Sequence, residues 1–172
     1  MTVISQNLIP SLAHLDVSHV DTQKPPVVLV DGSYYLFRCY HGLPPLQNSQ
    51  GLPTNAIRGV LTALNRLIQL HKPTYMAVAF DTKTPTFRHQ LSKDYKANRK
   101  PMEDDLVKQI PFIHQLIKLL GIPIVVFEGY EADDIIGTLA YRACVLGHPV
   151  VISTGDKDMA QLVNDVVVLE DN

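Results

Sequence analysis

Apolar residues fall into two patterns along this chain, short unbroken runs and longer stretches with an apolar residue every three or four positions. Val27-Val28-Leu29-Val30 is an unbroken, β-branched run. It ends in Asp31-Gly32-Ser33, ahead of a YYLFRCY segment that can open a helix. Met76 to Phe80 is a second run, ending at Asp81, and Ile122 to Phe127, Pro149 to Ser153 and Val166 to Leu169 read as three more strands. Between them, Asn55 to Leu70 places Ile57, Leu61, Leu64 and Ile68 on one helical face, and Asp104 to Leu120 does the same with Leu106, Ile110, Ile113, Ile117 and Leu120, stopping at Gly121. Pro111 inside that second stretch predicts a kink or a later start. Ala132 to Leu146 reads as a helix and Asp158 to Val163 as a short one. Continuous apolar strands alternating with helices of ten or more residues predict an α/β fold, a mostly parallel central sheet with helices on both faces. Residues 1–26 carry no sustained period and end in Lys24-Pro25-Pro26, so they are expected to form a poorly ordered extension or an edge appendage.

Composition narrows the class without naming a function. A chain of 172 residues with 46% hydrophobic and 19% charged residues suits one globular domain and excludes disorder throughout. No apolar run approaches the roughly 18 residues of a membrane span. The opening MTVISQNLIPSLAHLD lacks the basic stretch and small-residue cleavage site of a secretory signal. Cys39 and Cys144 follow no CxxC spacing, which argues against a disulfide framework or a thiolate metal site. The expected setting is a reducing cytoplasm.

The acids are not scattered. In open parallel sheets the functional crevice lies beyond the carboxyl ends of the strands. Three strands reach an aspartate there: Asp31, Asp81 and Asp156. Glu131, Asp133 and Asp134 open a helix that follows a strand, hence on the same edge, and Asp158 lies two residues past Asp156. Seven of the seventeen acids are thus expected at one rim. Two carboxylates 4 Å apart repel by roughly 4 kcal/mol at an effective dielectric near 20, so such a rim calls for protons or cations. Oxygen donors without His or Cys suit Mg²⁺ or Mn²⁺ rather than zinc, and none of the seven histidines forms an HExxH or HxH pair. Hard divalent ions on carboxylates serve phosphate chemistry, and an ion pair about 3.5–4 Å apart can activate water and stabilise a leaving oxygen. Taken singly, each acid has a plainer reading. Asp31 could be a turn or N-cap residue, the Glu131 group a partner of the helix dipole, and Glu103, Asp104 and Asp105 are read as dipole partners only.

Charge distribution adds a second feature. The net charge is −2, yet Lys83, Arg88, Lys93, Lys96, Arg99 and Lys100 stand against a single acid, Asp94, a local balance of +5. This run is either a solvated loop or a clamp for a polyanionic backbone. Tyr95, Tyr34 and Tyr35 are candidates for stacking on a base. Arg38 is either a phosphate ligand or an ion-pair partner. An acidic rim beside a basic clamp reads as a nuclease. A receiver-like phosphoacceptor would also gather strand-end aspartates but leaves the basic run unexplained. VDGSYY lacks GxGxxG spacing, against a Rossmann nucleotide site. Ser33 stands where a haloacid-type phosphatase needs an aspartate.

The stretches VLVDGSYYLFRCYHGLPPL, GLPTNAIRGV, AVAFDTKTPTFRHQLSKDYKANRKPM, YEADDIIGTLA and VVISTGDKDMAQLV together resemble the 5′-nuclease domain of bacterial DNA polymerases I, in the flap endonuclease family with a PIN-like fold. The resemblance runs from about Val27 to Leu162. It implies that Asp31, Asp81, Glu131, Asp133, Asp134, Asp156 and Asp158 supply an acidic site for Mg²⁺ or Mn²⁺, with two ions in the complete domain. It implies that Arg38, Tyr95, Lys96 and Arg99 contact the scissile phosphate or a threaded 5′ end. Lys83, Arg88 and Lys100 join them as DNA-binding residues, with 83–103 as a helical arch or clamp. The implied reaction is metal-dependent phosphodiester hydrolysis at a 5′ flap, nick or 5′ end of DNA, including RNA primers paired to DNA, in replication and repair. The family's domain continues for about as long again past Asn172, with further aspartates for the second metal position and a helix-hairpin-helix element, and then a polymerase domain. This chain is therefore expected to be a fragment, a truncated product or a half that needs a partner. Its duplex binding would then be weak and its cleavage impaired. The competing reading is a catalytically incomplete fragment that binds metal and DNA without efficient cleavage.

Overall fold

A computed structural model describes residues 12–82, 84–91, 95, 96 and 101–171. Five strands form one sheet: β1 (Val27–Asp31), β2 (Tyr75–Ala79), β3 (Ile124–Val125), β4 (Val150–Ser153) and β5 (Val167–Glu170). All pairings are parallel, in the order β3-β2-β1-β4-β5. The helices are α1 (Gly32–Gly42), α2 (Asn55–His71), α3 (Phe87–Leu91), α4 (Asp104–Leu119) and α5 (Ala132–Val145). Two 3-10 segments, Leu12–His14 and Lys157–Leu162, complete the described elements.

The strands are apolar up to their carboxyl-terminal residues because both faces are covered, and the two-residue alternation sends neighbours to opposite layers. Val28, Val30, Val78, Phe80 and Val151 face α1, α2 and α4, where Tyr35, Leu36, Leu64, Leu67, Leu106, Ile113 and Ile117 meet them. Leu29, Ala79, Val150, Ile152 and Val167 face α5, against Ile135, Ile136, Ala140 and Cys144. A leucine-sized side chain fully buried in such a layer stabilises the fold by about 1.5–3 kcal/mol. Cys39 and Cys144 are buried in opposite layers, and burial pushes both thiols above their ordinary range.

Three local expectations need correction. The strand expected over 122–127 shrinks to Ile124–Val125, because it lies at the edge of the sheet and pairs on one side only. Its backbone bonds to β2 end at the Val125 carbonyl, and the chain then folds into a turn closed by the Tyr130 N–H on the Phe127 carbonyl. The short helix expected over 158–163 is a 3-10 helix over Lys157–Leu162. Of the two outcomes expected of Pro111, a kink or a later start, the later start does not occur, since α4 begins at Asp104 and runs through it. Pro111 and Val107 are both exposed, so the Val107 carbonyl that loses its intrahelical donor remains open to water.

Within the segment expected to be an extension or appendage, residues 12–26 are described. Leu12 and Val20 are buried on the α5 side of the sheet, and the Leu12 carbonyl accepts a bond from Asn164 Nδ2 at 3.2 Å. Among the described residues no helix is long and apolar enough to cross a membrane.

Candidate active site

β1 pairs with β2 on one side and with β4 on the other, so the strand order reverses beside β1. That reversal opens a crevice beyond the carboxyl ends of β1 and β4. Asp31 ends β1 and is also the N-cap of α1, its Oδ1 accepting the Tyr34 N–H at 2.9 Å. Its Oδ2 accepts the Thr154 hydroxyl at 2.9 Å, across the crevice. Gly32 can only be glycine here, since an added Cβ would lie 2.5 Å from the Phe80 ring and 2.8 Å from the Ala79 carbonyl. After β2, the Asp81 N–H bonds to Ser33 Oγ at 2.9 Å, and its Oδ1 accepts the Ala132 N–H at the start of α5, also at 2.9 Å. After β4, Asp156 Oδ1 accepts the Asp158 N–H at 2.9 Å and starts the 3-10 helix.

Asp133, in the first turn of α5, is where these groups meet. Its carboxyl is pushed up to about 6, first by burial and then by the negative charges of Asp31, Asp156, Asp81 and Glu131. Asp31 is raised as well, again chiefly by burial. The side chain of Asp133 makes no hydrogen bond or ion pair among the described residues, whereas its neighbours are engaged. Five of the seven expected acids thus converge electrostatically. The other two do not. Asp134 turns away into a bidentate pair with Arg88, at 2.6 and 2.8 Å, and accepts the Glu131 N–H at 3.0 Å. That pairing holds its carboxyl below the usual range against the opposing effect of burial. Asp158 is exposed, and its carboxylate makes no bond or ion pair among the described residues.

The basic residues also take up definite partners. Glu131 is buried and receives Lys96 Nζ at 2.7 Å and the Tyr95 hydroxyl at 2.9 Å, with Arg88 at 3.6 Å. Lys96 adopts a left-handed φ of 57°, a conformation costing about 1–2 kcal/mol outside glycine. Arg38 is an ion-pair partner here, 2.6 Å from Asp171, whose same oxygen accepts the Tyr34 hydroxyl at 3.0 Å. Tyr35 is buried, with its hydroxyl 2.8 Å from Ser153 Oγ. Lys83, Arg99 and Lys100, expected to bind DNA, lie outside the described residues. A cavity of about 300 Å³ is lined by the acids Asp81 and Glu131 together with Thr86, His89 and Lys96. Among the described residues no three His, Cys, Asp or Glu side chains come close enough together to hold a metal ion.

Two groups of residues escaped the sequence reading. Ser33 accepts the Asp81 main-chain N–H and Thr154 donates to the Asp31 carboxylate, but a lone hydroxyl near a strand end has no period or charge to mark it. Asp171 lies past the last strand, where nothing in the pattern ties it to Arg38.

Comparison with known proteins decides the lineage. Residues 26–172 match the profile of the family described as 5′-3′ exonuclease, N-terminal resolvase-like domain. The chain belongs to that family. DNA polymerase I of Pseudomonas aeruginosa is 53% identical over 144 residues, which are 84% of this chain and 16% of that one. A 5′-3′ exonuclease of Aquifex aeolicus is 43% identical over 141 residues, 82% of this chain and 49% of the relative. The chain therefore spans less than half the length of these two members of the exonuclease family. Among solved structures, T5 5′-exonuclease bound to zinc superposes with a TM-score of 0.59 at 22% identity, covering 83% of this chain and 54% of the other. The bacteriophage T5 flap endonuclease, solved with DNA and metal ions, gives 0.60 at 20% identity over 83% and 53%. At that identity the likeness establishes a shared fold, the 5′-nuclease form of the α/β sheet.

Proposed function

We propose that this chain carries the carboxylate part of a divalent-cation-dependent 5′ nuclease that hydrolyses phosphodiester bonds at 5′ ends, flaps or nicks of DNA. It would act in replication and repair in the cytoplasm, on DNA and on RNA primers paired to it. Residues 27–172 would form the N-terminal half of the nuclease domain and 83–103 its basic clamp. The observation that carries the reading is the convergence on Asp133 of Asp31, Asp81, Glu131 and Asp156 at the edge where the strand order reverses. Family membership points the same way.

The donor set fits a hard dication in kind. Every candidate ligand is a carboxylate, and a dication would relieve the repulsion that adds to burial in raising Asp133. Asp31, Asp81, Asp133 and Asp156 would hold it, with Asp158 and, on releasing their basic partners, Glu131 and Asp134 as the further expected ligands. When bound, Mg²⁺ or Mn²⁺ supplies Lewis-acid stabilisation of the phosphate and acidifies water. The remaining roles fall to the protein. Lys96, Tyr95 and Arg88, now on Glu131 and Asp134, would exchange those carboxylates for a backbone phosphate. Arg38 would do the same on releasing Asp171. Lys83, Arg99 and Lys100 would extend the clamp.

A second reading has its own support. A protein that binds cation and DNA without efficient cleavage is favoured by the absence of a three-carboxylate cluster among the described residues. Cleavage of a labelled 5′-flap DNA with Mg²⁺ or Mn²⁺, with chelator and Asp31→Asn as controls, separates the two. Metal-dependent cutting near the flap junction that disappears in the variant is expected. A folded wild type that binds the flap but leaves it intact would overturn the nuclease reading in favour of the second.

A further inference from the structure

The loop after β4 holds a side chain that connects two of the strand-end acids. Thr154 is completely buried, and its hydroxyl faces both sides of the crevice between β1 and β4. It donates to Asp31 Oδ2 at 2.9 Å and accepts the Asp156 N–H at 3.1 Å. The hydroxyl has one proton, and Asp31 Oδ2 takes it. The amide of Asp156 then uses an oxygen lone pair. Only a group that donates and accepts at the same atom satisfies both neighbours, and valine, nearly isosteric, does neither. The β-branch also restricts χ1, so the hydroxyl keeps its direction.

The contacts of Asp31 make this bond decisive for its carboxylate. One oxygen is held by the Tyr34 N–H, a main-chain group at the first turn of α1. The other is held by Thr154 alone among the described residues. The plane of the Asp31 carboxylate is therefore set by two bonds, and one of them comes from the loop that carries Asp156. Ser33 is different, since its Oγ receives the main-chain N–H of Asp81 and leaves that carboxylate untouched.

We infer that Thr154 is a positioning residue, whose hydroxyl fixes the Asp31 carboxylate and the Asp156 loop relative to each other so that both face one divalent cation. The inference rests on the reading of the rim as a cation site, and it assigns a role to a residue outside the seven acids. Side chains that orient a metal-binding group typically change metal affinity or activity 10–100-fold when removed.

The test measures Mn²⁺ affinity of wild type, Thr154→Val and Thr154→Ser by electron paramagnetic resonance of free Mn²⁺. Chelator-treated melting temperatures and flap cleavage across a Mn²⁺ titration are taken alongside. Thr154→Val is expected to weaken Mn²⁺ binding about 10–100-fold and to shift the Mn²⁺ optimum for cleavage upward by a similar factor. Thr154→Ser, which keeps the hydroxyl, should recover most of the affinity. A merely structural threonine would lower the melting temperature without that hydroxyl-specific rescue. Equal Mn²⁺ affinity in wild type and Thr154→Val, or equal losses in Val and Ser variants, would overturn the positioning role and leave the cation site standing. If wild type and Asp31→Asn show no Mn²⁺ binding at all, the cation reading fails and the inference falls with it. Should Thr154→Val not fold, the comparison of Thr154→Ser with wild type decides, because near-equal affinity is expected and a loss beyond tenfold refutes it.

Discussion

Replacing Asp133 by asparagine should stabilise the cation-free protein at neutral pH, and the sign follows from its surroundings. The folded state holds the Asp133 carboxyl at about 6, against 3.8 for the free side chain. A carboxyl raised in this way favours folding while protonated and opposes it once ionised. Its favourable contribution is complete below about 4 and is lost as pH rises through 6. The full shift corresponds to at most about 3 kcal/mol, and partial solvent access reduces this to about 1–2 kcal/mol. Asparagine forfeits no hydrogen bond here. It does give up a negative charge in the first turn of α5, a loss of about 0.3–1 kcal/mol that works against the gain. The net expectation is about 1 kcal/mol of stabilisation at pH 8, or about 2–4 °C in melting temperature for a chain of this size. Denaturant unfolding in chelator between pH 4.5 and 8 is the assay. Wild type should lose stability relative to Asp133→Asn over that interval, and added Mn²⁺ should reverse the order by stabilising wild type more. An Asp133→Asn protein no more stable than wild type at pH 8, with a parallel pH profile, would refute the raised carboxyl, and with it the burial and charge crowding from which the cation site is argued.

Two further predictions concern elements beside the rim. Arg88→Ala leaves Asp134 without its bidentate partner, and because the pair is only partly exposed the loss should be about 1–3 kcal/mol in denaturant unfolding. Asp134 is held below its ordinary range, so this contribution is present at neutral pH and fades on acidification. A loss unchanged down to pH 3 would contradict the ion-pair account. Leu12→Ala should cost about 2–4 kcal/mol if the N-terminal segment belongs to the core on the α5 side, whereas a loss under about 0.5 kcal/mol would make it a dispensable appendage.

The layered fold was legible because burial on both faces leaves a strong mark. A strand covered on two sides has little room for polar residues on either face, so β1, β2 and β4 stand out as apolar runs that lead to Asp31, Asp81 and the Thr154–Asp156 loop. The edge strand β3 carries a weaker mark. Its sequence from Ile122 to Phe127 is as apolar as a central strand, but only the neighbouring backbone decides how many of those residues pair, and Val126 and Phe127 end up exposed. Helix periodicity likewise marked α2 and α4 as helices, although Leu61 and Leu120 of the expected stripes end up exposed. It could not show that Pro111 sits on the outer face, where a missing backbone bond costs little.

The site shows the same division between what position along an element determines and what approach in space determines. Strand topology alone brings Asp31, Asp81 and Asp156 to one edge, because parallel strands end together. The helix that follows β3 then adds Glu131 and Asp133 by its first turn. What topology leaves open is the pairing of charges, and here acids expected to hold a cation and bases expected to hold DNA are bound to each other. Lys96 and Tyr95 occupy both oxygens of Glu131, and Arg88 occupies both of Asp134. A polyanion and a dication could each replace half of that arrangement, the first by taking the bases and the second by taking the acids. Either alone would leave one set of charges buried without a partner, at a cost of several kcal/mol. Substrate and cation should therefore bind with positive coupling. Mn²⁺ affinity that rises when a flap DNA too modified to be cut is present, and rises less in Lys96→Ala, is the behaviour this arrangement of charges requires.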